Sequence, residues 1–275
     1  MSEPALPPLI EIIRRFGLEP RKSLGQNFLL DPRLTLKIAQ ATGNLAGINV
    51  VEIGPGPGGL TRALLEAGAA RVVAVERDER CIAALAELAA SYPGRLEIVS
   101  GDALAFDAAT LVPAPRRIIA NLPYNIATPL LIGWLRQIGE WQALGLMFQK
   151  EVAERLVARP RTKAYGRLSV LTQWLTEADL AFDIPPGAFL PAPKVTSTVT
   201  VLRPRPQPLA PADFATLERI TAAGFGQRRK MLRGSLKTLG VDALALCAAA
   251  GIEPTARAEE LDIAQFCALA RQVAG

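Results

Sequence analysis

The stretch Glu52-Ile53-Gly54-Pro55-Gly56-Pro57-Gly58-Gly59 joins a strand pattern to a helix pattern and decides the fold of this chain. Glycine at alternate positions lets the backbone approach a ligand closely and adopt positive φ angles. A nucleotide is the usual ligand of such a turn between a strand and a helix. Dinucleotide-binding folds share the pattern, so by itself it predicts an α/β fold and a nucleotide cofactor without identifying that cofactor.

Strand and helix signals alternate on both sides of this loop. Strand patterns lie at residues 50–53, 72–76, 96–99, 117–121, 143–148, 180–184 and 195–202, and helical patterns at residues 60–67, 79–90 and 129–138. This order predicts a mainly parallel sheet of seven strands with helices on both faces. The last two strands have too short a connection for a crossover helix, so we expect them to pair antiparallel at an edge.

A proline-rich segment at residues 203–211 interrupts this alternation. Proline at almost every second position favours an extended spacer and excludes a regular helix. Only helical patterns follow, at residues 214–223, 231–239, 243–249 and 263–270. The sequence therefore predicts two domains, an α/β domain over residues 1–205 and a small all-α domain over residues 206–275.

The composition narrows the classes of protein. The 275 residues are 50% hydrophobic, which is ample for a buried core. No apolar run approaches the roughly 20 residues of a membrane span, and the N-terminus lacks a secretion-signal pattern, so we expect a soluble, cytoplasmic protein. Cys81, Cys247 and Cys267 lie far apart among apolar residues and are expected to be buried thiols. The chain has no histidine, which excludes imidazole ligands and bases, and we expect no metal.

Two clusters of basic residues indicate a polyanionic partner for a chain whose net charge is +5. One cluster contains Arg155, Arg161 and Lys163, and the other is Arg228-Arg229-Lys230. Either cluster alone would fit a solvated helix face. Two clusters favour nucleic acid, because neutralising successive phosphates needs an extended basic track.

Three acidic residues mark the ends of successive strands. Glu52 lies just before the glycines, Glu76 lies 22 positions after Gly54, and Asp102 follows the third strand. Parallel strands bring these ends to one edge of the sheet, where such folds bind ligands. A carboxylate at Glu76 suits the ribose hydroxyls of NAD or of S-adenosylmethionine, whereas Glu52 occupies a position that is usually apolar in dehydrogenases. Asp102 can accept a hydrogen bond from an adenine amino group, although it also fits a helix cap.

The segment Asn121-Leu122-Pro123-Tyr124 ends the fourth strand on the same edge. The exocyclic amine of adenine is a poor nucleophile until acceptors bind its hydrogens and favour a tetrahedral nitrogen. The side-chain oxygen of Asn121 and the carbonyl of Leu122 can be those acceptors, and the ring of Tyr124 can stack on the base. Such a site can move a methyl group from a sulfonium to nitrogen without a titrating base. The alternative is a structural turn with Tyr124 as a lid on the core.

At these residues the sequence resembles the ribosomal RNA adenine N6,N6-dimethyltransferases, specifically the bacterial small-subunit group. The resemblance covers nearly the whole chain and implies a Rossmann-like, seven-stranded methyltransferase sheet with a small C-terminal all-α domain. Besides the glycine loop, its motifs are Ser23-Leu24-Gly25-Gln26-Asn27-Phe28-Leu29, Asn121-Leu122-Pro123-Tyr124-Asn125-Ile126, Gln149-Lys150-Glu151-Val152-Ala153-Glu154-Arg155, Tyr165-Gly166-Arg167-Leu168-Ser169, Phe189-Leu190-Pro191-Ala192-Pro193-Lys194-Val195 and Phe225-Gly226-Gln227-Arg228-Arg229-Lys230.

The resemblance also implies roles for single residues. The N-terminal motif would fold over S-adenosylmethionine, and Asn121 would serve both the methionine portion and the target amine. Phe189 would stack on the extruded adenine opposite Tyr124, from a loop that we expect to be exposed between Gly187 and Pro191. The full set of implied cofactor contacts is Asn27, Leu29, Glu52, Gly54, Gly56, Glu76, Asp102 and Asn121.

The resemblance implies dimethylation of two adjacent adenosines in the 3′-terminal hairpin loop of small-subunit (16S) ribosomal RNA, within an assembling pre-ribosomal subunit. A monomer is expected. One alternative is the large-subunit adenine dimethyltransferase that confers macrolide-type resistance, which shares the motif at residues 121–124. Another is an RNA-binding protein that checks subunit assembly without turnover. A dehydrogenase is the third.

Overall fold

A seven-stranded sheet organises this computed structural model, which describes residues 6–20 and 26–274. Its strands are β2 (Asn49–Ile53), β3 (Arg71–Glu76), β4 (Leu96–Ser100), β5 (Arg116–Asn121), β6 (Ala143–Gln149), β7 (Thr176–Ile184) and β9 (Ser197–Pro204). They lie in the order β4-β3-β2-β5-β6-β9-β7. The first five of these are parallel, and β9 runs antiparallel to β6. The predicted fold class is confirmed, and β7 lies beside β9 at an edge.

Apolar runs explain why these strands form the middle of the molecule. The side chains of Val50, Val51 and Val72 to Val75 are almost completely buried. Branched side chains favour extended backbone, and a strand that is apolar on both sides must be covered on both faces. The covering helices are α1 (Leu9–Arg15), α2 (Pro32–Gln40), α3 (Gly59–Glu66), α4 (Glu79–Ser91) and α5 (Tyr124–Arg136), and α6 (Lys150–Leu156) follows β6.

A second, two-stranded sheet was not expected from the sequence. It pairs β1 (Phe28–Leu29) with β8 (Phe189–Leu190) in antiparallel register, with Leu29 opposite Phe189. The prediction that Phe189 lies on an exposed loop is therefore wrong. The residue is 5% exposed and belongs to the same core cluster as Leu29 and Val199. The cause is the pairing of β8 with β1, which provides hydrogen-bond partners for the backbone of Phe189 and also covers its side chain.

The C-terminal part of the chain is helical, as predicted. Its helices are α8 (Phe214–Gly226), α9 (Leu232–Ser235), α10 (Ala243–Ala249) and α11 (Ile263–Ala274). Another helix, α7 (Arg167–Leu175), lies earlier in the chain, before β7. The rings of Phe225 and Phe266 pack with centroids 5.4 Å apart, and Cys247 and Cys267 are buried near zero exposure in this core. All three cysteines are buried and free, which confirms that expectation.

The described chain forms two compact units. One contains the described residues up to Lys150 together with Leu180–Arg203, and the other contains Glu151–Asp179 and the described residues from Pro204 onwards. A domain boundary between residues 205 and 206 stays a prediction. The contacts within the structure group Glu151–Asp179 with the C-terminal helices. Within residues 6–20 and 26–274, no helix has the length and apolar character to cross a membrane.

Candidate active site

One cleft at the carboxyl ends of β2, β3, β4 and β5 contains the predicted cofactor residues. Parallel strands with glycine-rich and polar ends create such a cleft because their termini meet at the same edge of the sheet. Phe189 does not line it. Predicted residues that do are Asn27, Leu29, Glu52, Gly54, Gly56, Glu76, Asp102, Asn121, Leu122 and Tyr124. Of the N-terminal motif, Ser23 to Gly25 lie outside the described residues.

The glycine loop is packed between two other segments of the cleft. Gly56 has a φ of +56°, and a Cβ there would lie 2.9 Å from Cε1 of Phe28 in β1. Gly54 has a φ of +66°, and its Cβ would lie 3.3 Å from Cδ of Pro123. Both positions therefore require glycine for backbone conformation and for space. The loop contacts β1 on one side and the Asn-Leu-Pro-Tyr segment on the other.

Glu76 holds the glycine loop as well as lining the cleft. Its Oε2 accepts a hydrogen bond from the backbone N–H of Gly56 at 3.0 Å, and its Oε1 accepts from the N–H groups of Arg77 at 2.8 Å and Asp78 at 2.9 Å. A carboxylate has about four acceptor sites, so capacity remains for a ribose hydroxyl. The sequence predicted only the ligand role, because these amide bonds depend on the loop conformation.

Glu52 is a buried carboxyl group with an unsatisfied oxygen. It is 1% exposed, and its Oε2 has no hydrogen-bond partner among the described residues. Burial raises the pKa of Glu52 to about 8; the nearby hydroxyl of Thr61 opposes this rise, and the carboxylate of Glu76 adds to it. The group is therefore mainly protonated at neutral pH. A buried oxygen without a partner is costly, so the cleft suits a ligand that brings a donor or a positive charge to this point.

Asp102 fits both of the roles that the sequence allowed. Its Oδ1 accepts a hydrogen bond from the N–H of Leu104 at 3.0 Å and caps the 3-10 turn Ala103–Ala105. The residue is exposed and also lines the cleft beyond the end of β4. The helix-cap bond fixes one carboxylate oxygen and leaves acceptor capacity on the other.

The Asn121 amide is oriented by a backbone group from the N-terminal segment. Its Nδ2 donates a hydrogen bond to the carbonyl oxygen of Asn27 at 3.1 Å. An amide has its donor and acceptor on opposite sides, so this bond turns Oδ1 away from Asn27 as the acceptor. Pro123 precedes α5 and Tyr124 begins it, which places the tyrosine directly after the cleft segment.

Tyr124 is held by a residue that sequence reasoning missed. Its Oη lies 2.7 Å from Oγ of Ser197, the fully buried first residue of β9. Burial raises the pKa of Tyr124, so the phenol is neutral at physiological pH. Ser197 lies 73 residues after Tyr124 and has no local signal of its own beyond its place at the start of a strand pattern. The hydrogen bond restricts the rotation of the tyrosine ring.

The two basic clusters meet in the second unit. Arg228 donates from Nε to Oε2 of Glu259 at 2.7 Å and from Nη2 to the carbonyl of Thr162 at 3.1 Å. The backbone N–H of Arg161, whose φ is +69°, donates to the carbonyl of Glu259 at 2.7 Å. Arg228 therefore cross-links the fold. Arg155 also has an acidic partner, Glu151 one turn earlier in α6.

The remaining basic residues of the clusters face solvent. Lys163, Arg229 and Lys230 are exposed, and so is the side chain of Arg161. These four positions therefore carry the accessible positive charge that a phosphate backbone can meet. The described residues contain no group of three or more histidine, cysteine or acidic side chains arranged to hold a metal ion.

The sheet order and the glycine-rich cleft are those of a Rossmann-like methyltransferase. The chain belongs to the family described as ribosomal RNA adenine dimethylase, whose model matches residues 17–274. This membership confirms the family prediction. It also confirms ribosomal RNA as the substrate class and S-adenosylmethionine as the cofactor.

Curated relatives and solved structures agree with this assignment. The ribosomal RNA small subunit methyltransferase A of Rhodospirillum rubrum is 65% identical over 268 residues, covering 98% of this chain and 93% of that protein. The protein of the same name from Paramagnetospirillum magneticum is 62% identical, covering 97% and 94%. A dimethyladenosine transferase from Plasmodium falciparum matches with a TM-score of 0.74 at 25% identity, covering 90% and 97%. The 23S rRNA methyltransferase ErmE matches with a TM-score of 0.65 at 27% identity, covering 90% and 100%.

Proposed function

We propose that this protein dimethylates N6 of two adjacent adenosines in the 3′-terminal hairpin loop of small-subunit ribosomal RNA, acting as a monomer on a pre-ribosomal subunit. The observation that carries the proposal is the oriented amide of Asn121, which lies beside a glycine loop built for a nucleotide cofactor. The choice of subunit rests on relatives at 62–65% identity that are named for the small subunit, against 27% for ErmE.

The reacting nitrogen needs acceptors more than it needs a base. S-adenosylmethionine supplies an electrophilic methyl group on a sulfonium. Before the first transfer, Asn121 Oδ1 and the carbonyl of Leu122 would accept hydrogen bonds from the two N–H groups of the adenine amine, which turns its lone pair away from the ring and towards the methyl group. Before the second transfer one N–H group remains, and one of these acceptors would bind it. The neutral ring of Tyr124 supports one face of the base. After transfer, the N-methylated nitrogen is strongly acidic and releases its proton to water, so no residue has to remove it first.

The cleft supports assignments for the cofactor. Asn27 and Leu29 cover it, Gly54 and Gly56 allow close backbone approach at its amino-acid end, and Asn121 also serves that end. The unsatisfied oxygen of Glu52 suits the cofactor's ammonium group. Glu76 would bind the ribose hydroxyls, and Asp102 the adenine amino group.

The RNA contacts are assigned from charge and exposure. Arg161, Lys163, Arg229 and Lys230 are the direct candidates, because their side chains are exposed. Arg155 and Arg228 contribute charge but already have acidic partners. Stacking by Phe189 on the base stays a prediction, and it requires the ring to leave the core position described above.

The test compares methyl transfer to the two ribosomal subunits. Purified small subunits lacking the modification, and separately large subunits, are incubated with tritiated S-adenosylmethionine, and the methylated adenosines are mapped by mass spectrometry. We expect label only in small-subunit RNA, on two adjacent adenosines. Label in large-subunit RNA alone would refute the choice of subunit, and binding to small subunits without any transfer would favour the assembly-checkpoint alternative.

Replacing Asn121 with alanine tests the proposed chemistry. Asn121→Ala should abolish transfer while changing RNA affinity by no more than a few-fold, because the contact is with one amine. Asn49→Ala is the matched control, since Asn49 Nδ2 also donates to a backbone carbonyl, that of Pro113 at 2.9 Å, at the opposite end of the sheet. A parallel loss of RNA binding in Asn121→Ala would contradict the role assigned to this residue.

A further inference from the structure

The segment whose carbonyl orients the Asn121 amide is itself weakly held by backbone pairing. It contains β1, which has only two residues and pairs with the two-residue β8. Two residues of antiparallel pairing cannot fix the position of a segment by themselves. The buried side chains of Phe28 and Leu29 hold the chain after Asn27, so the position of its carbonyl also depends on the contacts that hold the chain before it.

A charged pair at the start of α4 supplies those contacts. Gln26, next to Asn27, donates from Nε2 to Oδ2 of Asp78 at 3.0 Å. Arg80 donates to the same carboxylate from Nε at 3.1 Å and from Nη2 at 2.7 Å. Its Nη1 also donates to the carbonyl oxygens of Gly17 at 2.8 Å and Glu19 at 3.3 Å. The pair thus binds the N-terminal segment at residues 17–19 and again at residue 26.

The burial of Asp78 makes this arrangement rigid. The residue is 5% exposed, and the hydrogen bonds from Arg80 hold the pKa of its carboxyl group at about 2. A buried carboxylate held by a two-bond Arg contact restricts both side chains. The backbone N–H of Asp78 also donates to Oε1 of Glu76, whose other oxygen holds Gly56. The same residue therefore connects the N-terminal segment to the glycine loop.

We propose that Asp78 and Arg80 are positioning residues for methyl transfer: through Gln26 they fix the carbonyl of Asn27, and through it the direction of the Asn121 amide. Neither side chain touches the reacting atoms. If the segment shifts, the Asn121 amide loses the carbonyl of Asn27 as the acceptor for its Nδ2 and can rotate by half a turn, which presents an NH2 group to the target amine. This inference rests on the proposed chemistry at Asn121.

Asp78 also caps α4 by accepting from the N–H of Arg80 at 3.2 Å, so replacing it would disturb the helix. The test therefore uses Gln26→Met, which keeps the length of the side chain and removes the donor, and Arg80→Gln. Arg95→Gln is the matched control. Arg95 donates to the carbonyls of Leu65 at 2.7 Å and Ala69 at 2.9 Å in the same unit, without lining the cleft.

Two measurements are made on the full chain. The first is hydrogen exchange of the Asn121 side-chain amide, followed by NMR with labelled asparagine in the absence of RNA. The second is kcat and the KM for small-subunit RNA. In Gln26→Met and Arg80→Gln we expect faster exchange and a kcat reduced about tenfold or more, with KM changed less than threefold. Arg80→Lys, which keeps the charge, should recover part of the kcat.

Several results would overturn the inference. Unchanged exchange of the Asn121 amide in folded Gln26→Met and Arg80→Gln would show that the pair does not orient it. A loss of kcat in Arg95→Gln as large as in Arg80→Gln would show general destabilisation instead. The exchange measurement does not depend on the RNA substrate, so it remains decisive even if the wild-type protein fails to methylate small-subunit RNA.

Discussion

The buried carboxyl group of Glu52 makes the stability of the cofactor-free protein depend on pH. Its pKa is about 8 in the folded protein, against an ordinary value of 4.5. Between these values the folded state keeps a proton that the unfolded state has released. The stabilising contribution is therefore complete below pH 4.5 and is lost as the pH rises towards 8. Glu52→Gln removes the titrating group and should remove this loss.

The size of the effect follows from the two pKa values. One pKa unit corresponds to about 1.36 kcal/mol. Between pH 5.5 and pH 7.5 the wild-type protein should lose about 2–3 kcal/mol of unfolding free energy relative to Glu52→Gln, since the folded group is still mainly protonated at the upper pH. With about 2.1 cal/mol/K of unfolding entropy per residue, that difference corresponds to a relative shift in Tm of about 4 °C for 275 residues.

The assay is thermal and urea unfolding of both proteins across this pH range without cofactor. Glu154→Gln, which removes an exposed carboxyl group from α6, controls for the loss of a carboxyl group. A stability difference between Glu52→Gln and wild type that stays constant with pH would refute the buried, protonated state.

With S-adenosylmethionine present, wild-type binding should tighten between pH 6 and pH 8 and release a proton, which calorimetry in two buffers detects. Glu52→Gln should bind the cofactor more weakly and without this dependence.

Two further predictions separate catalytic geometry, RNA affinity and folding. Ser197→Ala removes the partner of the Tyr124 hydroxyl and should lower kcat about 3- to 10-fold with little change in RNA affinity. Single-turnover transfer measures the rate, and filter binding measures the affinity. An unchanged kcat would mean that the ring of Tyr124 does not need this hydrogen bond. Arg228→Gln should reduce the unfolding free energy by about 1–2 kcal/mol because it leaves Glu259 without this partner, whereas Arg229→Gln should leave stability unchanged and lower both RNA affinity and its salt dependence. Urea denaturation measures the unfolding free energy of both variants. Equal losses in Arg228→Gln and Arg229→Gln would contradict the assignment of Arg228 to folding and Arg229 to RNA binding.

Local patterns were sufficient to predict the main sheet and the edge where the cleft lies. Runs such as Val72 to Val75 can be satisfied only in a strand covered on both faces, and parallel strands necessarily bring Glu76 and Asn121 to the same edge. The glycine loop was also predictable, because alternate glycines between a strand pattern and a helix pattern indicate a tight turn of the backbone. The chemistry proposed for the strand ends rests on the residue types at these positions and stays a prediction.

The missed features all depend on contacts between residues distant in sequence. β1 and β8 have two residues each, too few to show a period of two, and Phe189 therefore looked like a loop residue. Ser197 contacts Tyr124 from another strand, and Glu259 pairs with Arg228 from 31 positions away. A cluster of basic residues with no acidic residue nearby in sequence can still have acidic partners that the tertiary fold brings to it. Sequence spacing predicts neighbours within an element, but not partners that only the tertiary fold brings together.

The pairing of Leu29 with Phe189 sets the order in which the cleft can be completed during translation. The two residues are 160 positions apart, so β1 has no strand partner until residue 190 has been made. At about 5–20 residues per second, that interval lasts about 8–32 s. The glycine loop, Glu76 and Asn121 are all synthesised before it ends. On a growing chain the segment that contains β1 therefore lacks its strand partner for this time, and it depends on contacts with residues made earlier, such as the hydrogen bond from Gln26 to Asp78.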